Sequence, residues 1–160
     1  MTADVLTAFE DALKGQGCTV KRRNYDWAFD FGEGGEITIA APWRIVRRGA
    51  IAHADTDDGQ QFGLPAPIDG EVRCNDLLAQ VRVAAVMVDR VTADICVQFD
   101  DGTRLELFNN SSGYEGWQAT FRSEGETIAV IGMGGGNIAF VGSPERFGAG
   151  TLKPTRSPGP

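Results

Sequence analysis

A chain of 160 residues with 42% apolar side chains can bury one self-sufficient core. It has no apolar run near the roughly 18 residues that span a bilayer, and its net charge of −7 disfavours nucleic-acid phosphates and anionic lipid as partners. Residues 146–160 hold Arg146, Lys153 and Arg156 and no acid, so residues 1–145 carry −10, a charge that suits a basic protein partner. Cys18, Cys74 and Cys96 are odd in number and far apart, as reduced thiols are. The start, Met-Thr-Ala-Asp-Val-Leu, lacks the basic and apolar segments of an export signal, so the expected location is cytoplasmic.

Thr2 to Leu13 reads as an amphipathic helix. Val5, Phe9 and Leu13 recur at i, i+4 and i+8, Thr2 can cap the start, and Gly15 with Gly17 ends it. From Cys18 to Ile51 the pattern is β, with local basic clusters at Lys21-Arg22-Arg23 and at Arg44 with Arg47-Arg48. Residues 53–70 form a polar, Gly/Pro-rich connection, and Asn75 to Gln80 can form a short helix that starts a few residues earlier. Val81 to Val91 reads as a strand whose apolar phase moves from odd to even positions, which predicts a bulge at Ala84-Ala85.

Residues 94–117 carry the clearest signal. Ile95, Val97 and Phe99 alternate with polar residues, as do Leu105 and Leu107. Both apolar sets share one face only if the connecting loop has an odd length, because a slip of one residue flips every side chain. The loop is therefore Asp100-Asp101-Gly102, with Gly102 left-handed, Val97 opposite Leu105, and Ile95 opposite Leu107. Sliding the chain by 68 positions sets Asp26 on Asp94, Trp27 on Ile95, Phe29 on Val97, Ile37 on Leu105 and Ile39 on Leu107. Gly34 falls on Gly102 and is expected to be left-handed as well. Trp43 follows Ile39 by four residues and Trp117 follows Leu107 by ten, so the second copy carries six extra residues. Ala119–Phe121, Thr127–Ile131 and Ile138–Val141 then read as closing strands, and Gly148–Pro160 as a disordered tail.

The expected architecture is α+β and mainly β. Two pseudo-repeated antiparallel hairpin units, about 18–51 and 81–121, combine with an N-terminal helix and a short middle helix in one domain over 1–145.

Candidate chemistry is sparse. His53 lies near Asp55, Asp57 and Asp58, but the glycine comes one place early for a calcium loop and no matching Glu follows. A solvated acidic loop accounts for these residues better. The cysteines lack paired zinc spacing, and a Cys/His nucleophile would need His53 beside Cys74 or Cys96. Gly132-Met-Gly-Gly-Gly-Asn137 precedes β signals rather than a helix, so it reads as a hairpin turn rather than a dinucleotide loop. No catalytic residue, metal or cofactor is expected. The polar–aromatic stretch Asn109–Trp117 supplies the candidate binding residues Asn109, Asn110, Tyr114, Glu115 and Trp117, with Tyr114 and Trp117 open to a packing role instead.

Phe-Asp-Asp-Gly-Thr-Arg-Leu-Glu-Leu at 99–107, Tyr-Glu-Gly-Trp at 114–117 and the following glycine-rich stretch resemble a family of small bacterial β-rich proteins of unknown function. Some members are described as immunity proteins of polymorphic toxin systems. The resemblance covers about residues 24–140 and supplies no catalytic residues. It implies a cytoplasmic location and a role in binding and neutralising a cognate toxin; joined to the acidic charge, it gives as the leading expectation a non-enzymatic binding protein, an immunity protein with a basic toxin as its partner. The alternative is a small-ligand binding β domain with a pocket between its sheets.

Overall fold

A computed structural model describes residues 4–142 and 147–152. Its first half runs α1 (Val5–Leu13), β1 (Thr19–Arg22), β2 (Trp27–Asp30), β3 (Gly35–Ile39), β4 (Trp43–Arg47) and β5 (Ala50–Ala54). The second half repeats the order as α2 (Gly70–Leu78), β6 (Val83–Val88), β7 (Ile95–Phe99), β8 (Arg104–Leu107), β9 (Trp117–Ser123) and β10 (Glu126–Gly132). Strands β11 (Ile138–Val141) and β12 (Ala149–Leu152) follow. The fold is α+β and mainly β.

The two hairpins form in equivalent registers. Ile95 pairs with Leu107 and Val97 with Leu105, while Trp27 pairs with Ile39 and Phe29 with Ile37. After each hairpin the chain crosses to the other sheet. β4 joins β8, with Trp43 opposite Leu107, and β9 joins β3, with Trp117 opposite Ile39. One sheet is therefore ordered β1-β2-β3-β9-β10-β11-β12 and the other β5-β4-β8-β7-β6. The crossings bond to each other, since Ala40 and Ala41 both donate to the Gly116 carbonyl and Phe108 donates to that of Pro42. This exchange makes neither half a folding unit by itself.

The inner faces of both sheets and the apolar face of α1 share one core. Phe29 meets Trp43 across the sheets edge-on, with ring centroids 5.0 Å apart, and Phe9 stacks on Trp117 at 6.2 Å. Trp43 and Trp117 are each 1% exposed. Burying a ring system of that size stabilises by roughly 4–6 kcal/mol before entropic costs.

The helices close two sheet edges. Asn75 of α2 binds β1 as another strand would: its Oδ1 accepts from Val20 N–H, and its Nδ2 donates to the Val20 carbonyl. Glu71 accepts from Arg22 N–H one turn earlier. On β6, Glu10 of α1 accepts from Val88 N–H, and Gly15 and Gln16 bond the Val83 carbonyl and N–H.

Several expectations shift. Helix α1 is capped by Asp4, whose carboxylate accepts from Leu6 N–H, while Thr2 lies outside the described residues. Helix α2 starts at Gly70 under an Asp69 cap, because Asp69 accepts from Val72 N–H at the end of the stretch that had read as a polar connection. β6 is shorter than the expected strand, and it does carry the bulge between Val83 and Ala85. Gly102 is left-handed (φ 88°), but Gly34 is not; Gly32 and Gly35 take the positive φ in the first turn. Part of the expected tail is ordered, with β12 paired to β11 and Phe147 in the core; residues 153–160 lie outside the described residues.

Candidate functional site

The six extra residues of the second crossing, Asn109 to Tyr114, rest on the β10–β11 turn. The Gly135 N–H donates to the Ser111 carbonyl, and a Cβ on Gly134 would collide with the Gly113 backbone. A Cβ on Gly136 would likewise strike the Val91 carbonyl. The glycine run at 132–136 is thus the close-packed floor of the loop, which its hairpin-turn reading did not anticipate.

The five candidate residues divide into two groups. Asn109 is buried: its N–H donates to Asp94 Oδ1, and its Nδ2 donates to the carbonyls of Thr92 and Met133. Trp117 is buried too, with Nε1–H donating to the Ala93 carbonyl at 2.8 Å. These two side chains hold the loop to the sandwich. Asn110, Tyr114 and Glu115 are exposed, and Tyr114 stands 81% open. Ser111 Oγ accepts from the N–H groups of Gly113 and Tyr114, which tightens the turn below the tyrosine.

Tyr25, which the sequence reading did not single out, is 95% exposed in the β1–β2 turn. Its neighbours Arg23 and Asp26 line an open depression of about 210 Å³ together with Thr38, Glu115 and Gln118. The turn that carries Tyr25 and the loop that carries Tyr114 therefore border one surface. Charges of both signs lie along it, with Arg23 paired to Asp26 and Glu115 accepting from Gln118. The only sequence signal for Tyr25 was an aromatic inside a polar, basic turn.

His53 is fully buried, and neither imidazole nitrogen has a hydrogen-bond partner among the described residues. Burial lowers its pKa. The nearby acids are engaged elsewhere. Asp58 forms a fork with Arg22 at 2.7 and 2.8 Å and accepts from Gly70 N–H; Asp57 accepts from Ala54 N–H. Among the described residues no group of three or more His, Cys, Asp or Glu is placed to hold a metal ion. Cys18 and Cys74 are buried, and burial pushes the Cys74 thiol up to about 12. The half-buried Cys96 thiol is also raised by burial, the opposite of what a nucleophile needs.

The space between the sheets is filled by Phe29, Phe31, Trp43, Phe99 and Phe121, each no more than 1% exposed. An open depression of about 710 Å³ is bordered by Asp30, Glu33, Glu36, Thr120 and Arg122. No protein-family model, curated protein or solved structure matches the chain.

Proposed function

We propose that the protein acts by binding another protein, without catalysis, through the surface that presents Tyr25 and Tyr114. The observation that carries this reading is Tyr114, which stands 81% exposed at the tip of an insertion that the first repeat folds without. An ordered loop that serves no packing need in the equivalent half is a fitting place for a contact. Tyrosine gives large contact area at low conformational cost. The net charge of −7 favours a basic partner, whose approach the acidic body accelerates. A cytoplasmic immunity protein that neutralises a basic toxin fits these properties.

The test is binding to the proteins encoded beside this one, by calorimetry at low and high salt. Tyr114→Ala should cost more than about 1 kcal/mol of affinity, and Glu115→Lys should mainly slow association. Full affinity in both variants would reject this surface.

A further inference from the structure

The outer face of the five-stranded sheet carries a groove with an acidic rim. β6, β7 and β8 bury alternate residues, so Met87, Cys96 and Glu106 form one cross-strand row on that face. The Asp89 N–H donates to the Asp94 carbonyl, and Phe108 follows Leu107, so Asp89, Asp94 and Phe108 form the next row. These six residues border an open depression of about 390 Å³. Met87 stands 67% exposed beside it.

Three carboxylates border the groove and, among the described residues, no cation does. The two nearby arginines are engaged: Arg44 pairs with Glu106 at 2.9 Å, and Arg90 forks to Asp4. Among the described residues Asp89 and Asp94 have no ion-pair partner. Their hydrogen bonds do not require the charge. Asp89 Oδ1 accepts from the N–H groups of Val91 and Thr92, and Asp94 Oδ1 from Asn109 N–H, as an asparagine oxygen would.

Like charges opposite each other weaken a sheet, so the two aspartates cost stability that a cation would restore. The backbone bonds from Thr92 and Val91 hold the Asp89 carboxyl below its usual range, which keeps it charged. A fitting geometry exists one row away. There the Arg44 guanidinium pairs with Glu106 and lies 5.1 Å from the Phe108 ring centroid.

We infer that this groove seats an arginine side chain of a protein partner, its stem along Met87 and Cys96 and its guanidinium between Asp89 and Asp94. Arginine is the fitting cation because its planar fork offers five donors to two carboxylates and is more weakly hydrated than an ammonium group. Met87 gives the stem an adaptable apolar wall. The groove lies at the foot of the insertion that carries Tyr114, since Asn109 begins that loop and bonds Asp94. The inference rests on the reading that the protein binds a basic protein, and it names the group by which such a partner is held.

Titration of the isotope-labelled full chain with acetyl-Leu-Arg-Leu-amide, followed by nuclear magnetic resonance, tests this, with the glutamine counterpart as control. The expected result is a saturable shift of the Met87 and Cys96 amide resonances with the arginine peptide, much smaller with the control and weakened by salt. Asp94→Asn removes the charge but keeps the acceptor for Asn109, and Met87→Lys places a cation of the chain's own in the groove. Each should weaken binding about threefold or more, with the far-ultraviolet circular dichroism unchanged. No shift up to about 10 mM peptide overturns the proposal. So do equal shifts with both peptides, or an affinity that either variant leaves unchanged. Tyr114→Ala lies outside the groove and should leave the titration as it is. A titration that fails while Tyr114→Ala still weakens binding of a basic partner removes the groove alone. One that succeeds while no such partner binds removes only the reading of the Tyr25–Tyr114 surface.

Discussion

His53 occupies in β5 the position that Val130 occupies in β10, and both are fully buried. The larger imidazole fits because Gly70 lies over it: a Cβ there would stand 3.0 Å from His53 Nε2 and 3.1 Å from Asp58 Oδ1. The imidazole is thus desolvated without compensating bonds, and its pKa lies below the usual histidine value.

This gives a pH dependence of definite sign. The unfolded chain takes up a proton near pH 6.5 that the folded chain still refuses, so stability present above that pH is lost as pH falls below it. Urea denaturation between pH 7.5 and 5 should show a decline of at most about 1.4 kcal/mol per pH unit. His53→Val should flatten the curve in this range. The carboxylates held below their usual range, among them Asp4 and Asp58, act at lower pH, and Asp55, raised by burial, acts in the opposite sense, so the comparison with His53→Val isolates the imidazole. An unchanged slope in His53→Val would show that the imidazole titrates normally.

The two hairpin glycines should respond differently to substitution. Gly102 has φ 88° and open space around it, so Gly102→Val should cost about 1–2 kcal/mol and Gly102→Asn much less. Gly34 instead faces α1, where a Cβ would stand 2.6 Å from the Ala12 carbonyl oxygen. Gly34→Asn should therefore destabilise at least as much as Gly34→Ala. Chemical denaturation of the four variants checks the contrast, and rescue by Asn at both sites would contradict it.

The floor under Trp117 allows no added atom. A Cβ on Gly132 would collide with the indole Nε1, which is fixed by its bond to Ala93. Gly132→Ala should cost about 3 kcal/mol, near the upper end for overpacking. Trp117→Phe in the same background should recover part of that loss, because the smaller ring frees the space. If the double mutant is no more stable than Gly132→Ala alone, the collision is not the cause.

Within the insertion, stability and binding should separate by residue. Asn109→Ala breaks the two part-buried side-chain bonds to the Thr92 and Met133 carbonyls and should lower stability by about 2 kcal/mol. Tyr114→Ala should lie within about 0.5 kcal/mol of the wild type, as exposed positions do. Thermal unfolding of both variants reads this directly. A large loss in Tyr114→Ala would make the tyrosine a packing residue.

The edge seal on β1 is also testable. Asn75→Leu keeps the side-chain size of α2 but leaves the Val20 N–H and carbonyl without their partner, at a cost of about 1–3 kcal/mol. Hydrogen exchange at Val20 should accelerate before the rest of β1. Uniform acceleration across both sheets would place the effect in global unfolding instead.

The hairpins were legible in the sequence because their information is local. Alternation at Ile95, Val97, Leu105 and Leu107 and the parity of a three-residue loop fix a register within thirteen residues of chain. The duplication was legible for the same reason, since a common shift aligns the same local pattern. Local pattern did not decide which strand comes next. An amphipathic strand such as β4 satisfies its alternation beside β3 or beside β8, and only the shared burial of Phe29, Trp43, Phe9 and Trp117 between two sheets selects the exchange. The same holds for the insertion. Its polar–aromatic composition marked it out, but burial assigned Asn109 and Trp117 to the scaffold and left Tyr114 outside. Gly34 is the plainest case: its place in the turn followed from sequence, whereas its need to be glycine comes from the Ala12 carbonyl of α1. Register depends on neighbours along the chain; burial depends on segments that meet only when the whole sandwich closes.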